Sequence, residues 1–541
     1  MTHGIDRRRF IAGAAGTAGA ALATTARARA VDANWSSVID AFETPDWFRD
    51  AKFGIWAHWS AQCVPEFGDW YGRLMYVQGN PFYAHHLKTY GHPADTGFLE
   101  IENRWKGERW DPEALIALYK QAGARYFVAL AAHHDNLDTW DSSHHAWNTL
   151  RVGPKRDVIG TWEKIARAAG LRFGVSNHSS HAWHWWQTAY GYDAVGPRAG
   201  QRYDAFRLRK ADGAGTWWDG LDPQELYVGP SFAPPDGIGS IAAMDAWHEV
   251  HDGRWMEGSP PAPAAFAEHW LLRQKELVEK YRPDLVYLDD SALPFGAIGL
   301  EALAHYYAQA RQWHGTADVV LTAKLLTAYQ RRAMVEDVER GFSDRLRDEP
   351  WQTCTCIGDW HYNRARFDNR SYVPAEQVVQ RLCDVVSKNG NLLLSIPLRG
   401  DGTIDSEEEK VVAGITRWMA RNGAAAIHGS RPWRLYGEGP TRTGAGQMNE
   451  GKAGTFTPED VRFTVKDGRL FAALLRWPEG PVTIAALGSR ALPGATIARA
   501  TLVGGEPVTM ERRGAGLTLT LPRAEPGEFV PVIALEGQGL A

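Results

Sequence analysis

The chain of 541 residues is long enough for one large domain of barrel size and a smaller second domain. Hydrophobic residues make up 44% of it, which supports a sizeable core, and the 23% of charged residues is ordinary for a soluble protein. Its net charge of −5 offers no basic surface, so we expect no nucleic-acid partner. The 24 tryptophans are unusual. Large flat rings fill cores and also stack on sugars, and we expect a minority of them to bind a ligand.

The first 30 residues have the pattern of an export signal. Three arginines at residues 7–9 precede an apolar stretch rich in Gly and Ala at residues 10–23. This stretch is shorter than the roughly 20 residues that span a bilayer, and small residues at 28–30 suit a cleavage site. Twin arginines before a mildly apolar region are typical of the twin-arginine export route. We therefore expect a signal peptide over residues 1–30, a periplasmic or secreted protein, and no membrane span.

Short apolar runs in the next part of the chain have the pattern of buried strands, and each ends on polar side chains. The runs are residues 52–56, 126–131, 172–175, 285–288 and 319–321. In chain order they lead to His58, to His133, His134 and Asp135, to Asn177 and His178, to Asp289 and Asp290, and to Lys324. Such tips converge at one face of a parallel α/β barrel, where the active sites of barrel enzymes lie.

Helical patterns alternate with these strands. They lie at residues 111–123, 158–169, 264–281, 300–313 and 374–387. The alternation predicts an α/β fold, and its length favours a closed TIM-like (β/α) barrel over residues 31–432. Residues 187–263 interrupt the rhythm with a Gly-, Pro-, Asp- and Trp-rich stretch, which we interpret as a long loop insertion that shapes the substrate cleft.

The last part of the chain has a different pattern. Short alternating runs separated by tight turns begin near residue 433, for example on either side of Asp467 and Gly468. Strands at this spacing predict a C-terminal β-sandwich over residues 433–541.

The cysteines indicate neither a disulfide framework nor a metal site. Only four are present: Cys63, Cys354, Cys356 and Cys383. Small secreted domains use many more, and the Cys-x-Cys pair at 354–356 lacks the second ligand pair of the usual zinc spacings. We expect free thiols, no structural metal and no cofactor.

Several segments together resemble the α-L-fucosidases of glycoside hydrolase family 29. They are residues 51–59 with His58-Trp59, 64–71 with Trp70-Tyr71, 126–135 with His133-His134, 285–290, 351–354 and 387–394. The resemblance implies an exo-acting enzyme that hydrolyses terminal α-L-fucose from a fucosylated oligosaccharide or glycoconjugate. It also implies retention at the anomeric carbon through a covalent fucosyl-enzyme intermediate.

The nucleophile implied by the resemblance is an aspartate at the end of a barrel strand. Asp289 occupies that position, and Asp290 stands where many members have glycine. Because side chains alternate along a strand, Asp289 shares a face with Leu285 and Tyr287, whereas Asp290 begins the turn. We therefore favour Asp289.

The acid/base partner is expected on a loop before the Trp351 motif, in an interval that offers Glu336, Glu339 and Glu349. Glu339 best matches the family's position. Glu349, two residues before Trp351, has the position of a surface charge, and both other glutamates stay open as alternatives.

Five residues are implied as contacts of the bound sugar. They are His58, Trp70, Tyr71, His133 and His134. Neutral imidazoles and an indole N–H can donate hydrogen bonds to the hydroxyls of one sugar ring.

The chain also departs from the family pattern. Asp69 and Gln352 each replace a common glutamate, and residues 177–181 replace a strand end that often holds tyrosine. These changes affect the expected choice of linkage more than the expected chemistry.

Two other functions compete with this interpretation. The histidines could instead serve a metal-dependent barrel hydrolase, with His133, His134, Asp135, His178, His181 and His184 as ligands. Alternatively, the protein binds fucose as a catalytically inactive homologue. Product formation on a fucosylated glycan distinguishes an enzyme from a binding protein.

Overall fold

Eight parallel strands form a closed barrel in the computed structural model, which describes residues 31–253, 262–452 and 454–540. They are β1 (Phe53–Ala57), β2 (Tyr126–Ala132), β3 (Arg172–Asn177), β4 (Leu285–Ser291), β5 (Val320–Lys324), β6 (Val335–Asp337), β7 (Trp351–Cys356) and β8 (Gly390–Ser395). The strands pair in chain order, and β8 closes the ring against β1. The predicted TIM-like barrel is confirmed. The predicted signal peptide at residues 1–30 lies outside the described residues.

Helices cover the outside of the barrel and fill its connections. They are α1 (Trp35–Ala41), α2 (Asp46–Ala51), α3 (Tyr71–Leu74), α4 (Pro81–Thr89), α5 (Phe98–Arg104), α6 (Pro112–Gln121), α7 (Val158–Ala168), α8 (Ala182–Trp185), α9 (Asp204–Arg207), α10 (Pro223–Leu226), α11 (Ile241–His251), α12 (Ala264–Tyr281), α13 (Ala297–His314), α14 (Arg364–Asp368), α15 (Ala375–Ser387) and α16 (Ser406–Asn422). Their ends follow the sequence signals. Asp111 caps α6 by accepting from the Ala114 backbone N–H, and Pro112 takes the first helical position. Among the helices of the described ranges, none combines the length and apolar character needed to cross a bilayer.

Strands β1 and β2 are buried on both faces, which explains why they appear in the sequence as continuous apolar runs. Alternate residues pack inside the ring, including Trp56, Tyr126, Leu285 and Tyr287. Their neighbours, such as Val286, join the larger core beneath the helices. This alternation fixes which side chains reach the mouth of the barrel.

The connection from β3 to β4 is a folded layer rather than an irregular loop. It contains α8 to α11 and is tied down by buried polar contacts. Asp204, for example, accepts hydrogen bonds from Tyr76 and Tyr227 at 2.8 and 2.6 Å. Arg73 pairs with the buried Asp252. Because these buried contacts require a specific packed arrangement, the described residues of the segment at 187–263 form an ordered layer against the barrel.

Two antiparallel sheets follow the barrel. The strands are β9 (Arg431–Glu438), β10 (Val461–Lys466), β11 (Arg469–Leu474), β12 (Val482–Ile484), β13 (Thr496–Leu502), β14 (Thr509–Arg512), β15 (Leu517–Thr520) and β16 (Val532–Gln538). One sheet has the order β13-β16-β11-β10-β9 and the other β12-β15-β14. Phe463 and Leu470 of the first sheet share one apolar cluster with Ile484 and Leu517 of the second. The predicted β-sandwich is confirmed.

A buried ion network joins the sandwich to the barrel. Asp384 on α15 accepts from Lys388 Nζ at 2.7 Å and from Arg462 Nε on β10 at 2.6 Å. All three side chains are nearly inaccessible to solvent. Because an unpaired charge at this depth is costly, the network specifies how the sandwich sits on the barrel.

Candidate active site

A cavity of about 320 Å³ opens at the carboxyl ends of the barrel strands. Its lining residues are Trp56, His58, Asp69, Trp70, His133, His134, His178, Tyr287, Asp289, Lys324, Glu339, Arg340, Trp360 and Met448. This volume is near the lower end of the range of small-molecule sites, which suits a single sugar ring. None of the described residues in the 187–263 segment lines it, so the expectation that this insertion shapes the cleft is not supported by the geometry.

Asp289 and Asp290 point in opposite directions from the end of β4. Asp289 lines the cavity, on the inward face that also carries Tyr287. Asp290 is buried behind it, where one carboxylate oxygen accepts from Ser180 Oγ at 2.7 Å and the other lies 3.4 Å from His181 Nε2. Strand alternation therefore places the two carboxylates on different faces as the sequence predicted. The prediction that Asp290 begins the turn is wrong, because β4 continues through Asp290 to Ser291.

Lys324, at the end of β5, bridges two carboxylates of the cavity. Its Nζ lies 2.5 Å from Asp289 Oδ1 and 2.5 Å from Glu339 Oε2. Those two oxygens can therefore be no further apart than twice this distance. Retaining glycosidases hold their two carboxyl groups about 5–5.5 Å apart, and the pair fits that arrangement.

The charges around Asp289 keep it ionised. Burial by itself would raise the pKa of this carboxyl, but the Lys324 ammonium and then His178 outweigh it and hold the pKa well below its usual value. His178 Nδ1 lies 3.2 Å from Asp289 Oδ2, and His134 Nε2 lies 3.6 Å from the same oxygen. Burial likewise opposes the charge of Lys324, yet Asp289 and Glu339 together raise its pKa well above the usual value. Asp289 and Lys324 thus form an ion pair at neutral pH.

Only one of the three glutamates predicted as acid/base candidates reaches the cavity. Glu339 lines it from the loop after β6. Glu336 lies on β6 itself and is held by Arg347 at 2.6 Å and by the Leu326 backbone N–H at 3.1 Å. Glu349 is exposed in the turn before β7. The geometry assigns Glu336 to structural contacts and leaves Glu349 at the surface.

The paired histidines present opposite hydrogen-bonding groups to a ligand. Gln62 Nε2 lies 2.7 Å from His133 Nδ1, and because an amide nitrogen donates, the His133 proton resides on Nε2. His134 Nδ1 donates to the His178 carbonyl at 2.9 Å, which leaves Nε2 as an acceptor. Burial, followed by neighbouring imidazoles, lowers the pKa of both rings well below 6.5, so both are neutral. One donor and one acceptor side by side match the alternating needs of sugar hydroxyls.

His58 also faces the cavity. Its Nδ1 lies 3.2 Å from Ser395 Oγ, and its ring packs against Trp56 at a centroid distance of 3.9 Å. Burial and then His178 and His361 lower its pKa well below 6.5. His58 is therefore a neutral imidazole that burial holds in one orientation.

Trp70 and Tyr71, predicted together as sugar contacts, separate in the structure. Trp70 adopts a left-handed backbone conformation with φ of 66° just before α3 and lines the cavity. Tyr71 begins the helix and turns into the core, where its hydroxyl lies 3.0 Å from His85 Nδ1. The left-handed backbone at Trp70 directs the two neighbouring side chains to different places. Tyr71 is better described as a support behind the cavity.

Asp69 holds the far wall of the cavity. Its carboxylate accepts from the backbone N–H groups of Trp360 at 3.1 Å and His361 at 2.7 Å. The aspartate that replaces the family's common glutamate thus fixes the position of Trp360, which lines the cavity.

One group of histidines has the geometry to hold a cation. Within the described part of the chain, His133, His134 and His178 place their ring nitrogens within 4.8 Å of one another. Neutral imidazoles suit zinc and similar transition metals. The group faces the same cavity as Asp289.

Several cavity residues lie outside the predicted catalytic and sugar-contact residues, among them Lys324, His178 and Met448. The sequence placed both Lys324 and His178 at strand tips that converge on the active-site face, without a role in catalysis or sugar binding. Met448 carries no such signal, because it comes from the connection between β9 and β10, far along the chain.

Known proteins that match this chain are α-L-fucosidases. The tissue alpha-L-fucosidase of Rattus norvegicus is 25% identical over 502 residues, which cover 92% of this chain and 89% of the relative. The corresponding protein of Macaca fascicularis is 26% identical, with 93% and 91% covered. Both alignments extend well beyond the barrel.

Solved structures share the fold. A crystal structure of Thermotoga maritima alpha-fucosidase superposes with a TM-score of 0.66 at 23% identity, over 93% of this chain and 99% of that one. Alpha-L-fucosidase isoenzyme 1 from Paenibacillus thiaminolyticus gives a TM-score of 0.61 at 20% identity, over 94% and 100%. The family model described as alpha-L-fucosidase matches residues 19–424. Since this match spans well over half of the sequence, the chain belongs to the α-L-fucosidase family, glycoside hydrolase family 29.

Proposed function

We propose that this protein is an exo-acting, retaining α-L-fucosidase that releases terminal α-L-fucose from a fucosylated oligosaccharide or glycoconjugate. The observation that carries the proposal is the bridge from Lys324 to both Asp289 and Glu339. It brings two carboxylates together in a cavity sized for one sugar ring. Neutral histidines at the same cavity supply hydrogen bonds to the ring hydroxyls.

The first step forms a bond between an Asp289 oxygen and the anomeric carbon as the glycosidic C–O bond breaks. Glu339 gives its proton to the departing oxygen. Asp289 is suited to the attack because the Lys324 ammonium keeps it ionised despite its burial. The sugar ring carries positive charge in the transition state, which the carboxylate stabilises.

The second step hydrolyses the fucosyl-enzyme. Once Asp289 is esterified it carries no charge, so the Lys324 cation is balanced by Glu339 alone. Glu339, which gave up its proton in the first step, takes a proton from the attacking water as the ester bond to Asp289 breaks. The same glutamate thus acts first as an acid and then as a base.

A metal-dependent hydrolase is the second candidate, because His133, His134 and His178 have the geometry for a cation. A cation there would take the nitrogens that we assign to the sugar hydroxyls. Activity that disappears on exhaustive chelation and returns with zinc would favour this candidate. Binding of fucose without any product would instead indicate an inactive homologue.

The released sugar should retain its configuration. We expect α-L-fucose as the first product, because two successive displacements at one carbon restore the starting anomer. Proton NMR during the first minutes of hydrolysis of an aryl α-L-fucoside detects it before mutarotation. Asp289→Gly should lower kcat by about 10,000-fold or more, and azide should restore part of the turnover by filling the vacated space.

Asp290→Asn is the matched control for Asp289→Gly. It changes one hydrogen-bonded carboxylate that does not line the cavity, so activity should stay within about tenfold of the wild type. A first-formed β-anomer would exclude the retaining mechanism. Loss of activity in the Asp290 variant but not in the Asp289 variant would exchange their roles.

Removing the Lys324 charge should change the pH dependence. In Lys324→Met the cation that lowers the pKa of Asp289 is gone, so that pKa rises and the ionised nucleophile is lost at a higher pH. The acid limb of kcat/KM should move upward by about 1 to 3 pH units. Lys324→Arg should move it much less. Lys410→Met removes a lysine that is 69% exposed and is the control. An unchanged acid limb in Lys324→Met would contradict the role of Lys324 in keeping Asp289 ionised.

Loss of the acid should affect poor leaving groups most. Glu339→Ala should lower kcat/KM on a fucosylated oligosaccharide by about 100- to 10,000-fold. An aryl fucoside with a good leaving group needs little protonation and should still form the intermediate, with slow deglycosylation then limiting turnover. Glu336→Ala and Glu349→Ala should lack this dependence on the leaving group. If Glu349→Ala shows it instead, Glu349 is the acid/base.

We further propose that the protein is exported by the twin-arginine route to the periplasm or the medium. The support is the arginine run at residues 7–9 before an apolar stretch. Replacing Arg7, Arg8 and Arg9 by lysine keeps the charge but removes the twin arginines. The variant should accumulate unprocessed in the cytoplasmic fraction, as detected by immunoblot. Unchanged export and processing would argue against this route.

A further inference from the structure

A segment of the C-terminal half returns to the mouth of the barrel and pairs with the loop that carries Glu339. We define residues 443–450, in the connection between β9 and β10, as the C-terminal arm. The Met448 N–H donates to the Glu339 carbonyl at 2.8 Å, and the Glu450 N–H donates to the Arg340 carbonyl at 2.8 Å. The Gly446 N–H donates to the Phe342 carbonyl at 3.2 Å. The arm and the Glu339 loop therefore form a short ladder of backbone hydrogen bonds.

Gln447 binds the two peptide units on either side of Val338, just before Glu339. Its side-chain oxygen accepts from the Glu339 backbone N–H, and its Nε2 donates to the Asp337 carbonyl at 2.9 Å. One side chain thus spans the step from the end of β6 to Glu339. Without it, each of these two backbone groups loses a hydrogen bond in a half-buried position.

The arm is anchored to the barrel by charge and by close packing. Glu450 accepts from Arg340 Nε at 2.7 Å and from Thr355 Oγ1 at 2.6 Å, and pairs with Arg381 at 3.1 Å. A Cβ on Gly341 would lie only 2.1 Å from the Gly446 carbonyl oxygen. The two backbones approach so closely that only glycine fits there.

Met448 lies at the rim of the cavity on the side of Glu339. It is 56% exposed although it is large and apolar, and its φ of 52° is unusual for a residue other than glycine. The same side chain lines the cavity. Its exposure is not explained by packing in the core, whereas a ligand that extends past Glu339 would cover it.

We propose that the C-terminal arm is part of the active site: Gln447 positions Glu339, and Met448 forms an apolar contact with the leaving group. This inference rests on the proposed role of Glu339 as acid/base. The acid must touch the glycosidic oxygen, so the rim beside it faces whatever fucose is attached to. The sandwich then contributes directly to catalysis and to the choice of substrate.

The test of Gln447 compares two substrates. Gln447→Met keeps the length of the side chain but removes both hydrogen bonds, so Glu339 loses its alignment with the glycosidic oxygen. We expect kcat on a fucosylated oligosaccharide to fall by about 10- to 100-fold. On an aryl fucoside with a good leaving group, the formation of the intermediate should be nearly unchanged. Gly341→Ala, which wedges the two backbones apart, should give the same pattern.

Arg442→Ala, at an exposed residue just before the arm, is the matched control and should leave both substrates unaffected. Circular dichroism and the thermal midpoint verify that each variant is folded. A loss in Gln447→Met that is equal on both substrates, or that is shared by Arg442→Ala, would overturn the positioning role.

Met448 is tested separately by binding. Met448→Ala should raise KM for aryl fucosides by about three- to tenfold with little change in kcat, because an apolar contact with the ring is lost. Met448→Leu, which keeps a large apolar side chain, should have a KM close to that of the wild type. Unchanged KM in Met448→Ala would overturn the contact.

Glu339→Ala, measured in parallel, distinguishes a failure of the arm's role from a failure of the acid/base assignment. If Glu339→Ala shows the dependence on the leaving group and Gln447→Met does not, the role of the arm fails while the proposed function stands. If Glu339→Ala lacks that dependence, the acid/base assignment itself is overturned, together with the inference built on it.

Discussion

A single buried cation organises this site. Lys324 is almost inaccessible to solvent, and a lone ammonium at that depth would be unstable. Its charge is tolerated because Asp289 and Glu339 reach it from two other elements of the barrel mouth. Each carboxylate is in turn held close to the cation. The distance between the two catalytic candidates is therefore a consequence of charge compensation around one lysine at the end of β5.

The histidines beside this ion pair are neutral, in contrast to the charged Lys324 and Asp289. Burial lowers the pKa of His58, His133 and His134, and the rings stay neutral although Asp289 is near. Lys324 already compensates that carboxylate, so the histidines need not charge. Neutral rings keep both a donor and an acceptor, which a sugar hydroxyl requires. Charge and hydrogen bonding are thus divided between two sets of residues in one cavity.

The sequence predicted the parts of the site that depend on local periodicity. Alternation along β4 separated Asp289 from Asp290 correctly in direction, and the strand tips supplied the histidines. The prediction that Tyr71 contacts the sugar is not supported by the geometry, because the left-handed backbone at Trp70 changes the direction of the next side chain. Such a backbone conformation leaves no pattern in a sequence. The strands β6 and β7 lacked a clear apolar run, because β6 has only three residues and β7 carries buried polar residues such as Gln352.

Contacts between distant segments were beyond the reach of periodicity. Glu339 and Met448 are over a hundred positions apart, and their pairing depends on how the sandwich is placed against the barrel. That placement rests on Asp384, which pairs with Lys388 at the end of its own helix and with Arg462 on β10. Because the barrel supplies only the short strand β6 before the Glu339 loop, the loop needs this second support. The acid/base candidate is consequently held by two domains, whereas Asp289 is held by the barrel alone.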